Sequence, residues 1–278
     1  MNTPWLNEFP LEDDILYLNH AAVSPWPKRA HDAVVQFSHD NMTVGSRHYL
    51  QWMQTEQTLK QQLARLINAP SADDIALLKN TSEALSVVAY GIDWRHGDNI
   101  VSSDEEFPSN RIIWQSLEAQ GVSLRQANLA DESSPEDALF AQVDKNTRMI
   151  AISSVQYASG LKMDLKRIGE YCQQRNILFC VDAIQSIGAV EFDVQACHID
   201  FAMADGHKWM LGPEGLALFY VRPALRDTLQ LKQFGWHMTE DYLNFDAREW
   251  QAASNARRFE CGSPNMLAAH ALQASTSL

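Results

Sequence analysis

The sequence predicts an α/β protein, a mainly parallel sheet sandwiched by helices, and three features predict it. Six short runs of almost uninterrupted apolar residues occur, as expected of strands buried on both faces. Stretches with apolar residues at helical spacing separate most of them, and strand–helix alternation calls for parallel strands with helical crossovers. The last two runs are joined too tightly for a helix, so one of that pair is expected to be antiparallel.

In chain order, residues 1–24 read as an N-terminal arm. A first helix follows from the Ser/Pro start of SPWPKRAHDAVVQFSHDNM (24–42), and a second, long and amphipathic, from QWMQTEQTLKQQLARLIN (51–68). The apolar runs are DIALLK (74–79), NIVSS (99–103), RMIAISSV (148–155), ILFCVD (177–182), DFAMAD (200–205) and LALFYV (216–221). LKRIGEYCQQRN (165–176) has the spacing of a crossover helix. GSPNMLAAHALQASTSL (262–278) begins like a capped helix and then stops, as a chain cut before a further domain would.

Composition narrows the function. The 278 residues suffice for one large core, and 46% hydrophobic with 21% charged residues is too apolar for a disordered chain. A formal net charge of −13 argues against nucleic acid or an anionic membrane as partner. Cys172, Cys180, Cys197 and Cys261 form no CxxC pair and no metal-ligand spacing, so they read as reduced thiols in a cytoplasmic protein, with no metal site. The start, MNTPWLNEFPLEDD, has neither the basic end nor the apolar stretch of a signal peptide, and no apolar run approaches a membrane span.

In open α/β sheets, ligands bind beyond the carboxyl ends of the strands. Four such ends carry polar groups here. LLKNTSEAL (77–85) ends a strand and opens a helix at Asn80, Thr81, Ser82 and Glu83, offering backbone N–H groups and two hydroxyls as an anion seat, or simply a Thr/Ser-Glu helix cap. VSSDEEFPSN (101–110) ends in an acidic turn followed by Phe107. ILFCVDAIQSIG (177–188) leaves Asp182 at a strand end, with Gln185 three residues on. DGHKWMLGPEG (205–215) aims His207 and Lys208 beyond the next strand, with Trp209 read as a packing residue without a role. The absence of GxxxxGK[ST] and GxGxxG removes P-loop and dinucleotide readings. An anion seat, a flat aromatic, a carboxylate and a lysine together are what pyridoxal 5′-phosphate (PLP) requires: a seat for its phosphate, an acid at its ring nitrogen and an amine for its aldehyde.

With these residues in place, the chain resembles the class V aminotransferase fold family of PLP enzymes, which includes cysteine desulfurases, selenocysteine lyases and isopenicillin N epimerase-like proteins. The resemblance runs through YLNHAAVSP (17–25), NTSEAL (80–85), EFPSN (106–110), SSVQYASG (153–160), VDAIQSIG (181–188), DGHKWMLGPEG and FECGSPN (259–265). The pairing of VDxxQ with GHKxxxGPxG is its most specific part. It implies the PLP-dependent transferase fold (fold type I), with a seven-stranded type of sheet. Residues 25–262 would form the PLP-binding large domain, and 263–278 would begin the helix leading to a small C-terminal domain that is absent.

The resemblance also implies roles. Lys208 would carry the cofactor as a Schiff base and shuttle protons; Asp182 would pair with the pyridine nitrogen; Gln185 would bond the phenolic oxygen. Thr81, Ser82 and His207 would hold the phosphate, and Phe107 would stack on the ring where desulfurases carry histidine. Ser263 would reach the phosphate of a partner subunit, implying a homodimer. Asp205 stands where desulfurases have a phosphate-binding serine, and is expected to turn toward His207 and keep that imidazole charged. Tyr157 stands in place of an asparagine near the ring oxygen. With two proton-handling groups of the desulfurase site replaced, transamination at the Cα of a small amino acid is the working expectation. A desulfurase- or lyase-like elimination, or an epimerisation, is the alternative, and a truncated non-catalytic paralogue is the reading from another class.

Overall fold

A computed structural model describes residues 5–278; the first four residues of the expected arm lie outside them. Seven strands form one sheet: β1 (Ile75–Leu78), β2 (Asn99–Ser103), β3 (Ser123–Ala127), β4 (Thr147–Ser153), β5 (Leu178–Asp182), β6 (Phe201–Asp205) and β7 (Ala217–Val221). Their order across the sheet is β1-β7-β6-β5-β4-β2-β3. All neighbours are parallel except β7, which runs antiparallel to both β6 and β1. The short β6–β7 connection forces that reversal, as its length predicts. The sheet is thus the mainly parallel, seven-stranded type expected, and all six apolar runs are strands.

The seventh strand, β3, has no apolar run. It lies at the sheet edge with SLRQA largely exposed, and only Ala127 is buried. The other edge strand, β1, is covered and buried throughout; it is the exposure of β3 that frees its sequence from the apolar requirement that betrays the others.

Side-chain alternation splits the core into two layers. In β4, Met149 and Ala151 face one layer while Ile150 and Ile152 face the other. The first layer is closed by α3 (Thr81–Gly91) and α4 (Ser109–Gln115), through Leu85, Val88 and Trp114. The second is closed by α2 (Tyr49–Leu66), α5 (Pro135–Ala141), α6 (Leu165–Arg175) and α7 (Met266–Ser275), through Leu59, Leu63, Leu139, Ile168 and Leu272. Helix α1 (Lys28–Val44) packs on α7. Residues 263–278 therefore contribute α7 to the core of the sheet domain, with Ala268, Ala269 and Leu272 buried.

Before α1 the described residues of the arm form neither helix nor strand, and ion pairing fastens them. Arg29 donates from Nε and Nη2 to Glu8 Oε1 at 3.0 and 2.8 Å. No described helix is long and apolar enough to cross a membrane.

Candidate active site

The carboxyl ends of β5 and β6 and the start of α3 meet at one edge of the sheet, and the predicted residues other than Ser263 lie on these elements or on the loops beside them. Asp182, the last residue of β5, is 3% exposed. Its Oδ1 accepts the Ile184 N–H at 3.1 Å, which holds the carboxyl against its own turn. Burial pushes its pKa up to about 7, helped by the Glu106 charge and opposed by Lys208.

Lys208 follows β6 on a turn that is tightly determined. The Gly206 N–H donates to Leu216 O (2.9 Å), that of Gly212 to Gly206 O (2.8 Å), and that of Leu211 to Lys208 O (3.0 Å). Leu211 holds φ at 59°, a left-handed conformation that is unfavourable for a branched side chain and persists only where its surroundings impose it. Helix α7 supplies part of that restraint, since Ser275 Oγ donates to Met210 O at 2.6 Å. The Lys208 amine is half-buried, and desolvation lowers its pKa against the opposing pull of Asp182 and Asp205. An amine so placed loses its proton more readily, which is what a nucleophile for an aldehyde requires.

Gln185 is held from two sides. Its Nε2 donates to Ala21 O at 3.0 Å, and its Oε1 accepts from Trp209 Nε1 at 2.8 Å. One amide hydrogen remains for a ligand. Trp209 therefore has a task that the sequence reading denied it: it orients Gln185. Its ring also stacks on His20 (centroids 5.5 Å, interplanar angle 16°), and Ser24 N–H donates to His207 O at 2.9 Å. The arm is thus latched across the lysine turn by residues 20–24.

Phe107 and Tyr157 face each other edge to face (5.3 Å, 81°), both about half exposed, and Lys208 Nζ lies 5.8 Å from the Phe107 centroid. Behind them is a residue that sequence reasoning missed. Glu106 is 4% exposed and accepts from Ser103 Oγ (3.1 Å), Asn110 Nδ2 (2.7 Å), Ser153 N (2.9 Å), Ser153 Oγ (2.5 Å) and Gln156 Nε2 (2.8 Å). It ties β2, β4 and α4 together through itself and Gln156, the residues that precede Phe107 and Tyr157 in the chain. Three acids in a row, DEE, conceal which one is buried.

At the start of α3 the cap is Asn80, whose side chain accepts the Glu83 N–H at 2.8 Å, while Glu83 Oε2 accepts the Lys79 N–H at 2.6 Å. The reciprocal cap is therefore one residue earlier than a Thr/Ser-Glu cap, which places Thr81 and Ser82 in the first turn, where N–H groups have no helical acceptor. Asp205 Oδ2 takes the Thr81 N–H (3.3 Å) and hydroxyl (3.4 Å). Its distance to His207 Nδ1 is 4.0 Å, too long for a hydrogen bond. The carboxylate thus turns to Thr81 rather than to His207, because two donors at a helix N-terminus outcompete one imidazole. Asp205 Oδ1 and His207 Nδ1 are both buried without a hydrogen-bond partner among the described residues.

Ser82 is exposed and donates its hydroxyl to Ser109 Oγ at 2.9 Å. Ser263 is also exposed and lies in a separate cleft with Lys79, Glu83 and Asn265; within one chain it is not part of the Lys208 group.

The residues fit PLP. A carboxyl buried at Asp182, its pKa pushed to about 7 by desolvation, gains a partner for its charge in a protonated ring nitrogen, and a desolvated amine stands ready at Lys208. The orphaned His207 Nδ1 and the N–H groups of the first turn of α3 suit a phosphate. One group opposes the fit, the Asp205 carboxylate on the Thr81 N–H.

Comparison with known proteins agrees. The family model "Aminotransferase class-V" matches residues 16–278. A probable cysteine desulfurase of Methanothermobacter thermautotrophicus is 35% identical over 237 residues, covering 82% of this chain and 58% of its own. The apo structure of a cysteine desulfurase from Thermococcus onnurineus NA1 superposes with a TM-score of 0.86 at 27% identity, covering 99% of this chain and 69% of that one. A variant of C-DES with glycine covalently linked to its PLP cofactor shares the fold, at TM-score 0.90 and 22% identity over 99% of this chain and 74% of that one. The chain spans 58% to 65% of the length of such curated relatives. By the match over residues 16–278 and the geometry of the Lys208 site, this chain belongs to the class V aminotransferase family of PLP-dependent enzymes.

Proposed function

We propose that the chain is the large domain of a PLP-dependent lyase that cleaves the C–S bond of a small sulfur amino acid, and that Lys208 is its base. The observation that carries the reading is the juxtaposition of the buried Asp182 and the half-buried Lys208 beyond the carboxyl ends of the adjacent strands β5 and β6, with desolvation easing loss of the Lys208 proton. Similarity to cysteine desulfurases supports the lyase over the transaminase that the sequence placed first. The replacement of histidine by phenylalanine at position 107 removes one proton carrier; it does not by itself select transamination.

When bound, PLP supplies an electron sink for the charge that develops at a substrate Cα. Asp182 would keep the ring nitrogen protonated. Gln185, braced by Trp209 and Ala21, would donate to the ring's phenolic oxygen. Phe107 would cover one ring face and shed water from it. The first turn of α3, with Thr81, Ser82 and His207, would seat the phosphate. The Lys208 amine would remove the Cα proton. None of the four cysteines offers a readily ionised thiol at the Lys208 site: Cys172 and Cys180 are buried and Cys197 half-buried, all with thiols pushed up by burial, and Cys261 donates to Gln233 Oε1 at 3.3 Å. The exposed Ser263 would face a partner subunit in the homodimer that the resemblance implies, which light scattering would test.

The test is a screen of small amino acids, cysteine included, with sulfide, alanine, pyruvate and keto-acid detection. Sulfide supports the lyase; a new keto acid formed only with a second keto acid present would replace it with transamination. Inertness toward every amino acid in protein that binds PLP would favour a non-catalytic paralogue.

A further inference from the structure

We infer that the cofactor phosphate and an ionised Asp205 exclude one another, so that seating the phosphate draws a proton onto the Asp205 carboxyl. The inference rests on the PLP reading above. Asp205 occupies donors that a phosphate on α3 would use, the N–H and hydroxyl of Thr81. Its backbone is pinned: Asp205 pairs with Ala217 on β7, and the next N–H, of Gly206, is bound to Leu216 O. The side chain therefore stays beside the helix start when an anion arrives there.

The charged groups facing it are few. His207 and Lys208 come from its own turn, and Asp182 from β5. From α3 the nearest acid is Glu83, whose carboxylate is engaged by the Lys79 N–H. Burial already raises the Asp205 pKa, with Thr81, His207 and Lys208 pulling the other way. A phosphate dianion beside it pushes further in the direction of burial. The partnerless Oδ1 has room in its bonding for the proton. One proton passes from water to Oδ1, which then donates to a phosphate oxygen, and no other bond changes. A carboxyl that looks hostile to phosphate becomes a donor to it.

The probe must carry the phosphate without condensing with Lys208, because that step has its own pH dependence. Pyridoxamine 5′-phosphate does so, and pyridoxamine is its phosphate-free control. Their dissociation constants are measured by calorimetry on the full cofactor-free chain between about pH 7 and 9, above the phosphate's own second ionisation near 6. For the unsubstituted chain the ratio of the two constants should worsen by up to about tenfold per pH unit, as uptake of one proton requires. In Asp205→Asn, and in Asp205→Ser as a second variant, binding should tighten and the ratio become flat with pH. In His207→Gln the slope should survive, which separates Asp205 from loss of imidazolium charge. A slope retained in both Asp205 variants, or abolished by His207→Gln alone, overturns the inference while leaving PLP in the site. Failure of pyridoxamine phosphate to bind at any pH rejects the PLP reading and this inference together.

Discussion

Removing the Glu106 carboxylate tests whether the loop that carries Phe107 is held by one buried acid. In Glu106→Ala, five donors lose their acceptor. The hydroxyls of Ser103 and Ser153 can rotate to other partners. The Ser153 N–H, within β4, and the amides of Asn110 and Gln156 cannot re-aim without moving backbone or neighbours. A buried donor left unsatisfied costs about 1–3 kcal/mol; with water refilling part of the space, three of them give a loss of about 4 kcal/mol. For a domain of this size, 1 kcal/mol corresponds to about 2–4 °C, so melting should fall by roughly 10 °C. Glu106→Gln keeps the shape but turns a donor toward donors, and should fall between. Circular dichroism melts of the full chain at neutral pH measure this. A Glu106→Ala protein that melts within about 2 °C of the unsubstituted chain would refute the claim that this network carries the loop.

Further outcomes follow from the same site. Because Asp182 is raised from 3.8 to about 7 in the folded protein, the folded state keeps a proton there that the unfolded state has already lost. Its contribution is present in full below the unfolded value and is lost as pH rises through the folded one, up to about 4 kcal/mol between pH ~4 and ~7. Urea unfolding of the cofactor-free chain should therefore weaken across that window, and Asp182→Asn should remove this share; an identical pH profile in the variant would contradict the assigned shift. Gly188 has φ of 96°, and a Cβ there would stand 2.3 Å from Trp209 O. Gly188→Ala should lose about 2–4 kcal/mol together with PLP affinity, since the lysine turn must move; unchanged PLP affinity by fluorescence titration would show that the turn tolerates the shift.

The legible part of the sequence was the part under two-sided burial. IALL, NIVSS, FAMAD and ALFYV are buried throughout and LFCVD in all but its first residue, and such burial favours apolar residues, with polar ones mostly at the strand ends. Edge strand β3 escaped because it is largely open to solvent, unlike the covered edge strand β1, and so meets no such filter. The site was legible because parallel strands deliver their carboxyl ends to one edge, so Asp182 and Lys208 could be placed near each other from chain order alone. What stayed hidden depends on directions that no spacing encodes. Asp205 faces Thr81 rather than His207, Glu106 alone of three neighbouring acids turns inward, and Trp209 reaches back to Gln185. The cap fell on Asn80 instead of on Thr81 or Ser82 because Asn80 is the last extended residue, with φ of −165° and ψ of 169°.

The central claim is covalent attachment of PLP to Lys208, and peptide mass mapping after incubation with PLP and borohydride reduction tests it most directly. The account predicts the reduced cofactor's mass on the peptide carrying Lys208 and its loss in Lys208→Ala. Labelling of a different lysine, or none at all in a folded chain, would contradict it.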